Sequence, residues 1–521
     1  MAEASDGINY GDLIISALQR GGDRPAFVAP DETTLTYRQS ADLFARMRRV
    51  LRDHGVVRGT GVGVFGPNRP EIWLATAAVF TEGARFTALN PLNSVSDIVY
   101  MADNAELEVL VVDPMFVDRA EAIAAESPRL RHVFTLGPST YGIDILQLST
   151  QVTEPVLSPC EANVEDIAWL QYTGGTTGVP KGVAVSQRSL VQAAQSILAS
   201  WEMPVVPRYL AASPITHAAA MPILPTLLRS GTIFMHKSFS PEAWLRTVQD
   251  QRINLGLLVP TMLYAILDSE HMGKFNLSSI ETILYGAAPM SPTRLAEAHQ
   301  KIGNVFVQVY AQSECASIAT TLASYEHDPV NKPHLLSSCG KAAVGTTVCL
   351  FDDDDNEVPD GVPGEICVRG QNVMTGYWRN PELTAETLKN GWLHTGDMAV
   401  RDAEGFLYIV DRKKDMIISG GMNIFPKEIE DVLSQHPAVA LASVIGLPDD
   451  KWGEAVTAVV VCRPGESVKA NELAELVKTA KGPHQAPKII HFVDSVPMTP
   501  VGKVDKKALK EQFKNSQGNQ K

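Results

Sequence analysis

The chain has 521 residues, more than one hydrophobic core usually organises, so two or more domains are expected. Its composition, 45% hydrophobic and 20% charged, is that of a globular protein and excludes a disordered or collagen-like chain. A net charge of −14 argues against nucleic acid as a partner, because phosphate backbones are bound by basic surfaces.

The sequence has no pattern typical of export or of a membrane span. The first residues lack the charged-then-apolar order of a secretory signal, and the apolar stretch 210–228 is broken by polar residues and prolines. The six cysteines have no paired CxxC spacing, which argues against a disulfide framework and a structural zinc site. We therefore predict a cytoplasmic protein with buried, unpaired thiols. The oligomeric state stays open, a homodimer included.

The first part of the chain alternates β-rich and amphipathic segments. Residues 61–65 and 109–113 are typical of buried strands and 71–80 of a helix, which predicts an α/β fold with parallel sheets covered by helices. From about residue 346 the pattern changes to short alternating strands, 349–351 and 364–370, separated by turn residues. This pattern predicts a small antiparallel sheet or β-barrel.

The C-terminal part begins after a basic break at 412–414. A strand, a Gly-Gly turn and a helix opening at Pro426 follow, since proline favours the first helical turn. A strand at 455–462, a helix at 471–481 and a strand at 488–493 complete a small α+β domain. We predict a large domain over 1–410, a connection over 411–415 and a small domain over 416–521.

A glycine- and threonine-rich loop follows the apolar strand 167–170. Glycines let backbone N–H groups face a ligand, threonines add hydroxyl donors and a lysine adds positive charge, which together suit a polyphosphate. The loop is not a Walker A motif, because its lysine lies between Pro180 and Gly182. A purely structural glycine turn is the alternative. The candidate phosphate-binding residues are Thr173, Gly174, Gly175, Thr176, Thr177, Gly178 and Lys181.

Four further motifs follow this loop in the order found in one enzyme family. The sequence from 30 to 510 resembles the adenylate-forming superfamily, which includes acyl- and aryl-CoA synthetases, luciferases and peptide synthetases. The resemblance implies an ATP-dependent ligase that converts an acid, ATP and coenzyme A into acyl-CoA, AMP and pyrophosphate through an acyl-adenylate. The motifs are Tyr-Gly-Ala-Ala-Pro at 285–289, Val-Tyr-Ala-Gln-Ser-Glu at 309–314, Trp-Leu-His-Thr-Gly-Asp at 392–397 with Asp-Arg-Lys-Lys-Asp at 411–415, and Thr-Pro-Val-Gly-Lys at 499–503.

The resemblance also assigns roles around the nucleotide. Tyr310 would stack on adenine, Ser313 would contact the α-phosphate and Glu314 would bind Mg²⁺, a cation that prefers carboxylate oxygen. Three positions depart from the family pattern: Gly174 replaces serine, Ala311 replaces glycine and Ser313 replaces threonine. The remaining assignments are Gly286, Ala287 and Ala288 beside adenine, Asp397 and Arg412 on the ribose, Thr177 and Lys503 in catalysis and Lys414 as the hinge.

For the thiol step, the family is thought to rotate its C-terminal domain as a mobile lid. Gly420 and Gly421 would then let the pantetheine arm of CoA pass close to the backbone. Trp452 would pack on the CoA nucleotide, with ordinary core packing as its alternative, and Lys488 would bind a phosphate. The lysines that follow Lys503, at positions 506 and 507, are expected to be solvated.

The acid is expected beside residues 214–221. His217, with catalytic and substrate roles, would flank the acyl group together with Ala218, Met221, Tyr285 and Gly286, although a lone histidine in apolar surroundings is often a core residue. The alanines suggest a compact or flat group, and the absence of Arg and Lys from 213–228 leaves a second carboxylate without a partner. A benzoate-like acid is the preferred prediction. The alternatives are a medium-chain fatty acid, a stand-alone enzyme that loads a carrier protein, and a non-catalytic nucleotide-binding regulator.

Overall fold

The computed structural model describes residues 7–90, 93–173, 180–412, 415–419, 422–449, 452–499 and 504–517. The β-strands are β1 (Pro25–Val28), β2 (Thr34–Thr36), β3 (Gly61–Phe65), β4 (Arg85–Leu89), β5 (Leu107–Val112), β6 (His132–Thr135), β7 (Ile143–Asp144), β8 (Ile167–Thr173), β9 (Lys181–Ser186), β10 (Arg208–Ala211), β11 (Thr232–Met235), β12 (Leu255–Leu258), β13 (Thr282–Gly286), β14 (Phe306–Tyr310), β15 (Thr320–Leu322), β16 (Lys341–Ala342), β17 (Thr346–Phe351), β18 (Gly364–Gly370), β19 (Gly376–Tyr377), β20 (Leu388–Lys389), β21 (Trp392–Arg401), β22 (Leu407–Arg412), β23 (Ile417–Ser419), β24 (Met422–Ile424), β25 (Val439–Asp449), β26 (Gly453–Cys462) and β27 (Ile489–Phe492). The α-helices are α1 (Tyr10–Arg20), α2 (Tyr37–Asp53), α3 (Pro70–Thr81), α4 (Val95–Asn104), α5 (Val117–Glu126), α6 (Ile145–Thr150), α7 (Gln187–Ser200), α8 (Ile223–Leu228), α9 (Pro241–Asp250), α10 (Pro260–Leu267), α11 (Pro292–Ile302), α12 (Pro381–Thr387), α13 (Pro426–Leu433), α14 (Ala470–Lys481) and α15 (Lys506–Gln517).

Local signals explain where many helices begin. Six of those described, α3 and α9 to α13, begin with proline, whose missing N–H costs no helical hydrogen bond at that position. Thr36, Ser94 and Ser186 cap α2, α4 and α7 by accepting a hydrogen bond from a backbone N–H of the first turn. The predicted helices at 71–80 and from Pro426 are confirmed.

Sheet A has nine strands among the described residues, in the order β16-β15-β14-β13-β12-β10-β11-β1-β2. From β14 to β1 neighbouring strands are parallel, and the additions at the two edges are antiparallel. β13 ends at Gly286 and β14 ends at Tyr310, so two predicted motifs leave neighbouring strands at the same edge. The carboxyl edge of a parallel sheet is where such folds bind ligands.

Sheet B runs in the order β19-β9-β8-β4-β3-β5-β6-β7. It is parallel from β8 to β7, and the predicted strands at 61–65 and 109–113 are confirmed as the neighbours β3 and β5. The hairpin β8–β9 was predicted only in its first strand. It pairs Thr173 with Lys181, so both ends of the candidate phosphate loop start from adjacent strands.

The two smaller sheets are built from the later part of the chain. Sheet C is antiparallel in the order β17-β18-β21-β20, with β22 on β21, where a small antiparallel sheet or barrel was predicted. Sheet D has the order β24-β23-β26-β25, with β27 parallel to β26, and packs against α13, α14 and α15. The fold is therefore a large α/β body followed by a small α+β unit.

The three largest hydrophobic cores among the described residues of the body join its sheets to its helices. The largest contains strands of sheets A and B together with side chains of α1, α2, α3, α7 and α8, and includes Phe27, Trp73 and Trp169. A second core joins sheet A to α9, α10 and α11, and a third joins sheet B to α4 and α5. Helices thus cover both sheets, as their continuous apolar strands require.

A few polar contacts join the C-terminal unit to the body. The Ser291 hydroxyl donates to the Ser434 hydroxyl at 3.2 Å, and Arg463 lies 3.7 Å from a carboxylate oxygen of Asp268.

Among the helices of the described residues, none combines the length and hydropathy needed to cross a bilayer. All the cysteines are unpaired, and three of them, Cys315, Cys339 and Cys367, are fully buried.

Candidate active site

Tyr310 and Asp397 meet where sheet A adjoins sheet C. The Tyr310 hydroxyl donates to Asp397 Oδ2 at 2.7 Å, and Gln312 Nε2 donates to the same oxygen at 2.7 Å. Asp397 is 5% exposed and Tyr310 is 9% exposed. Burial and the nearby Asp397 carboxylate raise the pKa of Tyr310 well above its usual value, which keeps the phenol a donor. The predicted adenine and ribose residues are therefore in direct contact, and Gln312 is a partner that was not predicted.

The turn that carries Asp397 is held by neighbouring strands. Glu365 Oε1 accepts a hydrogen bond from the Gly396 N–H at 2.8 Å, and the Thr395 hydroxyl donates to the Ile366 carbonyl at 2.7 Å. Asp397 is also paired through the backbone with Arg412, across β21 and β22. The two predicted ribose residues are thus opposite each other in the sheet, although the Arg412 side chain lies outside the described structure. Glu365 is another residue that sequence reasoning missed.

Glu314 lies two residues beyond Gln312, in the 3-10 turn Ser313–Cys315. The Tyr377 hydroxyl donates to Glu314 Oε1 at 2.8 Å, and the Lys181 ammonium lies 5.3 Å from the centre of the Tyr377 ring. The structure therefore brings together the predicted metal ligand Glu314 and the predicted phosphate residue Lys181, with Tyr377 between them. Gln312 of the Tyr310–Asp397 group and Glu314 are two residues apart in the chain, so the two groups are neighbours.

The loop between Thr173 and Lys181 starts and ends beside this group. Thr173 and Lys181 are paired at the end of the β8–β9 hairpin from which the loop leaves. Trp378, next to Tyr377, donates its backbone N–H to the Gly182 carbonyl at 2.7 Å, which fixes the hairpin against the Tyr377 segment. The predicted residues Gly174, Gly175, Thr176, Thr177 and Gly178 lie outside the described residues.

The segment 286–288 leaves β13 in an unusual conformation. A Cβ atom on Gly286 would stand 2.1 Å from the Val309 carbonyl oxygen, so only glycine permits this approach of β13 to β14. Ala287 has a φ of +65°, a left-handed conformation that residues with a side chain rarely adopt and that is often found at functional sites. Ala311, by contrast, does not have a positive φ, so its replacement of glycine causes no backbone strain.

The predicted acid segment lines an apolar cavity. His217 precedes the 3-10 turn Ala218–Ala220, and its Nδ1 lies 2.9 Å from the Thr216 hydroxyl. His217, Ala218 and Met221 are each half-buried. A cavity of about 60 Å³ lies behind this segment, with Met221 and Thr216 in its wall. The structure thus places the segment beside space that can accept an apolar group.

Trp452 and Lys488 meet on the surface of sheet D. The Lys488 ammonium lies 5.3 Å from the centre of the Trp452 ring and donates to the Pro483 carbonyl at 3.0 Å. Trp452 is 37% exposed. Strand β23 is bridged to β26 between Ser419 and Gly453, next to Trp452. Gly420 and Gly421, which follow Ser419 in the chain, lie outside the described residues.

The segment that carries Lys503 starts and ends in a described hairpin. Met498 is bridged to Val504, and the Asp505 N–H donates to the Pro497 carbonyl at 2.9 Å. Lys506 was expected to be solvated but is only 23% exposed and pairs with Glu430 at 2.8 Å. Although burial alone would lower the pKa of Lys506, the carboxylates of Glu430 and Asp411 outweigh it and raise that pKa. Lys503 and Lys414 themselves lie outside the described residues.

Comparison with known proteins decides the family. The model of the AMP-binding enzyme family matches residues 15–378, and that of the AMP-binding enzyme C-terminal domain matches residues 428–503. The chain belongs to the AMP-binding enzyme family. The resemblance read from the sequence motifs is therefore confirmed.

Relatives of this AMP-binding enzyme include several ligases. The medium/long-chain-fatty-acid–CoA ligase FadD8 of Mycobacterium tuberculosis is 41% identical, over 96% of this chain and 90% of the relative. A feruloyl-CoA synthase of Amycolatopsis is 37% identical, over 92% of this chain and 94% of the relative. The structure of the amide bond synthetase McbA from Marinactinospora thermotolerans superposes with a TM-score of 0.89 at 29% identity, over 96% and 99% of the two chains. This AMP-binding enzyme is an AMP-forming acid–thiol ligase, and ATP and CoA are substrates of its family.

Tyr285 of this AMP-binding enzyme, predicted to line the acid site, belongs to a buried pair. Its hydroxyl donates to His327 Nε2 at 2.8 Å, and the Nδ1–H of His327 donates to the Ala323 carbonyl at 2.7 Å. Tyr285 also packs against Phe306 in the core next to sheet A. Its side chain is thus occupied by internal contacts, and His327 is a buried residue that the sequence motifs do not mark.

His327 should make the stability of this AMP-binding enzyme depend on pH. Burial lowers the pKa of His327 from 6.5 to about 4, so in this interval the unfolded chain binds a proton that the folded chain does not. Above pH 6.5 the neutral His327 does not reduce the free energy of unfolding. As the pH falls from 6.5 towards 4, this free energy therefore decreases by about 3 kcal/mol. In His327→Gln, urea unfolding should show an acid-induced loss smaller by this amount. The exposed His334→Gln should behave as wild type, and an equal loss in both variants would contradict the assignment.

Proposed function

We propose that the protein joins a carboxylic acid with an apolar body to CoA through an acyl-adenylate. The observations that carry this proposal are the contacts of Tyr310 and Gln312 with Asp397 and of Tyr377 with Glu314 and Lys181, together with the apolar cavity behind residues 214–221. Aromatic, acidic and basic groups at these positions suit adenine, ribose and phosphates respectively. The apolar wall of the cavity suits the body of the acid.

In the first step, a carboxylate oxygen of the acid attacks the α-phosphorus of ATP, and pyrophosphate leaves. The acid, a carboxylate without a good leaving group, becomes a mixed anhydride. Lys181, the loop 173–178 and Lys503 would offset the negative charge that accumulates on the phosphates. Bound Mg²⁺ would add charge neutralisation there.

Glu314 suits a magnesium ion that is shared with the nucleotide. Mg²⁺ in such sites is usually held by one or two carboxylates together with substrate phosphates and water. Within the described part of the chain, no three His, Cys, Asp or Glu residues could hold a metal together, so a single carboxylate with phosphate oxygens is the fitting arrangement. Thr177 and Ser313 would then contact the α-phosphate rather than the metal.

Replacing Tyr377 tests whether Glu314 binds the magnesium ion. Tyr377→Phe keeps the ring near Lys181 and removes only the hydroxyl that orients Glu314. Because partners that orient a ligand strongly affect metal affinity, the Mg²⁺ concentration for half-maximal pyrophosphate release should rise about tenfold. Tyr408→Phe removes a similar bond, to Asp402 at 2.9 Å, and is the matched control. An unchanged requirement in Tyr377→Phe would show that this hydroxyl does not position Glu314.

In the second step, the CoA thiolate attacks the carbonyl carbon of the acyl-adenylate, and AMP leaves. We propose that the unit 416–521 turns about the connection 411–415, with Lys414 as hinge, relative to the body 1–410. Gly420 and Gly421 would then face the thiol arm, with Trp452 and Lys488 on the CoA nucleotide. The contact between the Trp452 ring and the Lys488 ammonium supports a shared role for these two residues.

Substitutions of Trp452 and Lys488 should affect only the transfer of the acyl group to CoA. We expect Trp452→Ala and Lys488→Ala each to raise the KM for CoA about tenfold, in keeping with the loss of a ring or charge contact. Pyrophosphate release before CoA is added should not change. Lys478→Ala, a surface lysine paired with Glu475 at 3.0 Å, is the control. An unchanged KM in both variants would place CoA elsewhere.

For the acid, we propose a medium-chain fatty acid. The similarity to a fatty-acid–CoA ligase over nearly the whole chain and the apolar cavity behind Met221 support this choice over the benzoate-like acid preferred from sequence. An aromatic acid is the second candidate, favoured by the similarity to a feruloyl-CoA synthase and by the aromatic side chains in the cavity wall. The small charged substrates and the net charge of −14 fit a cytoplasmic enzyme that does not bind nucleic acid.

A pyrophosphate-release screen tests the proposal. Purified protein is given ATP, Mg²⁺ and a panel of straight-chain and aromatic acids, and the products are identified by mass spectrometry with and without CoA. Acyl-CoA formed only when acid, ATP and CoA are all present is the expected result. Acyl-AMP that accumulates but is not passed to CoA would favour a carrier protein as acceptor. No pyrophosphate with any acid would overturn the proposed function.

A further inference from the structure

Asn68 lies in the turn between β3 and α3, at the carboxyl edge of sheet B, and is 5% exposed. Its side-chain amide reaches the segments that follow β10 and β11 of sheet A. Nδ2 donates to the Ser213 carbonyl at 2.8 Å and to the His236 carbonyl at 3.0 Å. Oδ1 accepts a hydrogen bond from the Ile215 N–H at 2.9 Å. One buried side chain thus joins the carboxyl edges of the two large sheets.

The described segment 212–217 leaves β10 without forming a further strand, so its backbone groups need partners from elsewhere. Pro214, in its middle, has no N–H to donate. The Asn68 amide donates to the residue before Pro214 and accepts from the residue after it, much as a neighbouring strand would. Asn68 therefore fixes the path of the backbone between β10 and His217.

The turn that carries Asn68 is anchored by the next residue. Arg69 Nη1 donates to Asp113 Oδ2 at 2.8 Å and to the Leu136 carbonyl at 3.0 Å, and these two partners directly follow β5 and β6. The turn is thus tied to strands of sheet B on one side, and through Asn68 to sheet A on the other. The segment 213–215 is held against a rigid support rather than against another loop.

The segment that Asn68 holds carries groups proposed to meet the acid. Ile215 and Thr216 line the apolar cavity, and the Thr216 hydroxyl lies 2.9 Å from His217 Nδ1. A displacement of the backbone at 213–215 would move these side chains together. Tyr310 and Asp397 stand on β14 and β21 and do not depend on this segment for their position.

We infer that Asn68 is a positioning residue for the acid, holding residues 213–217 in the geometry that receives the acyl group. It acts through the backbone of this segment and sets the affinity for the acid, but not that for ATP. This inference rests on the proposed function, in which residues 214–221 flank the acyl group. The three hydrogen bonds of the buried Asn68 amide are the contacts that carry it.

Two substitutions of Asn68 test the inference. Asn68→Ala removes all three hydrogen bonds, whereas Asn68→Asp keeps the size of the side chain and the acceptor for Ile215 but removes both donors. Pyrophosphate release gives the KM for ATP and the KM for straight-chain acids from hexanoate to dodecanoate. In both variants we expect the KM for the acid to rise about tenfold, because buried hydrogen bonds that position a substrate have effects of this size. The KM for ATP should stay within about twofold of wild type.

The two KM values separate positioning from a loss of folded protein. A partly unfolded variant has a lower apparent kcat, but its folded molecules keep the wild-type KM for both substrates. Asn254→Ala is the matched control, because Asn254 is also buried and bonds to backbone at the opposite end of β10. Its Oδ1 accepts from the Arg208 N–H at 2.6 Å, and its Nδ2 donates to the Val206 carbonyl at 3.2 Å. Asn254→Ala should keep both KM values.

Three results would overturn the role of Asn68. The first is an unchanged KM for the acid in both Asn68 variants, and the second is a KM for ATP that rises as much as the KM for the acid. The third is an equal rise of the KM for the acid in Asn254→Ala, which would show that any loosening of β10 has the same effect. The absence of pyrophosphate with all acids in the wild type would overturn the proposed function instead.

Discussion

Lys503→Ala should lower the rate of pyrophosphate release about 10²–10³-fold and leave the conversion of preformed acyl-AMP to acyl-CoA nearly unchanged. The lysine is proposed to lie between the α-phosphate and the acid as negative charge builds up, and removing one preorganised donor from such a position has effects of this size. The thiol step expels AMP and does not need this charge. The measurement compares both half-reactions for the same preparation of the variant.

A neighbouring lysine provides the control for Lys503→Ala. Lys507 is exposed four residues later, so Lys507→Ala removes an equal charge from the same part of the chain and should behave as wild type. Lys506 is unsuitable, because its ion pair with Glu430 holds the start of α15 against α13. Equal loss of both half-reactions in Lys503→Ala would show that the lysine acts in folding or domain closure rather than in adenylation.

The sequence predicts the elements of this fold better than their contacts. Proline at the first turn and short apolar runs are local signals, which is why α3, α13, β3 and β5 were all found from sequence. The second strand of the β8–β9 hairpin was missed because Lys181 and Gly182 resemble the end of a loop. Only the pairing of Thr173 with Lys181 shows that a strand begins there.

For the candidate site, too, the sequence predicts single residues better than the contacts between them. Tyr310, Glu314 and Asp397 are predicted as site residues because they stand in motifs whose order matches one family, not because their spacing implies contact. Asp397 is 87 residues from Tyr310 in the chain, and no local sequence pattern predicts their hydrogen bond. Tyr377 and Glu365 lie outside the quoted motifs and act through Glu314 and the Gly396 turn, so only the folded chain reveals them.

The cavity is a stronger example of what sequence leaves out. Its wall is assembled from helices, strands and a turn that are distant in the chain, and each residue in it has an ordinary apolar role in its own element. Trp169 in sequence is simply part of a buried strand, and Met221 part of an apolar run. The prediction of a compact acid rests on three alanines at 218–220, which form one side of the site only, and it stays a prediction.

Asp397→Asn should lower kcat/KM for ATP about 100-fold and abolish the discrimination between ATP and 2′,3′-dideoxy-ATP. The Asp397 carboxylate already accepts from Tyr310 and Gln312 through Oδ2, and hydrogen bonds to a charged acceptor contribute about 1.5–3 kcal/mol each. An amide offers one oxygen and an N–H in place of two oxygens. In Asp397→Asn the amide N–H must therefore face either the Tyr310 and Gln312 donors or the ribose hydroxyls, and the group that it faces loses its acceptor.

Two variants separate the ribose contact from the integrity of the fold. Tyr310→Phe breaks the internal bond to Asp397 but keeps both the ring for adenine and the carboxylate for ribose, so the discrimination against the dideoxy nucleotide should persist. Asp360→Asn removes a surface carboxylate paired with Arg401 at 2.6 Å and should leave both parameters unchanged. If Asp397→Asn still distinguished the two nucleotides as wild type does, Asp397 would be a structural acceptor for Tyr310 and Gln312, and the ribose would have to be bound elsewhere.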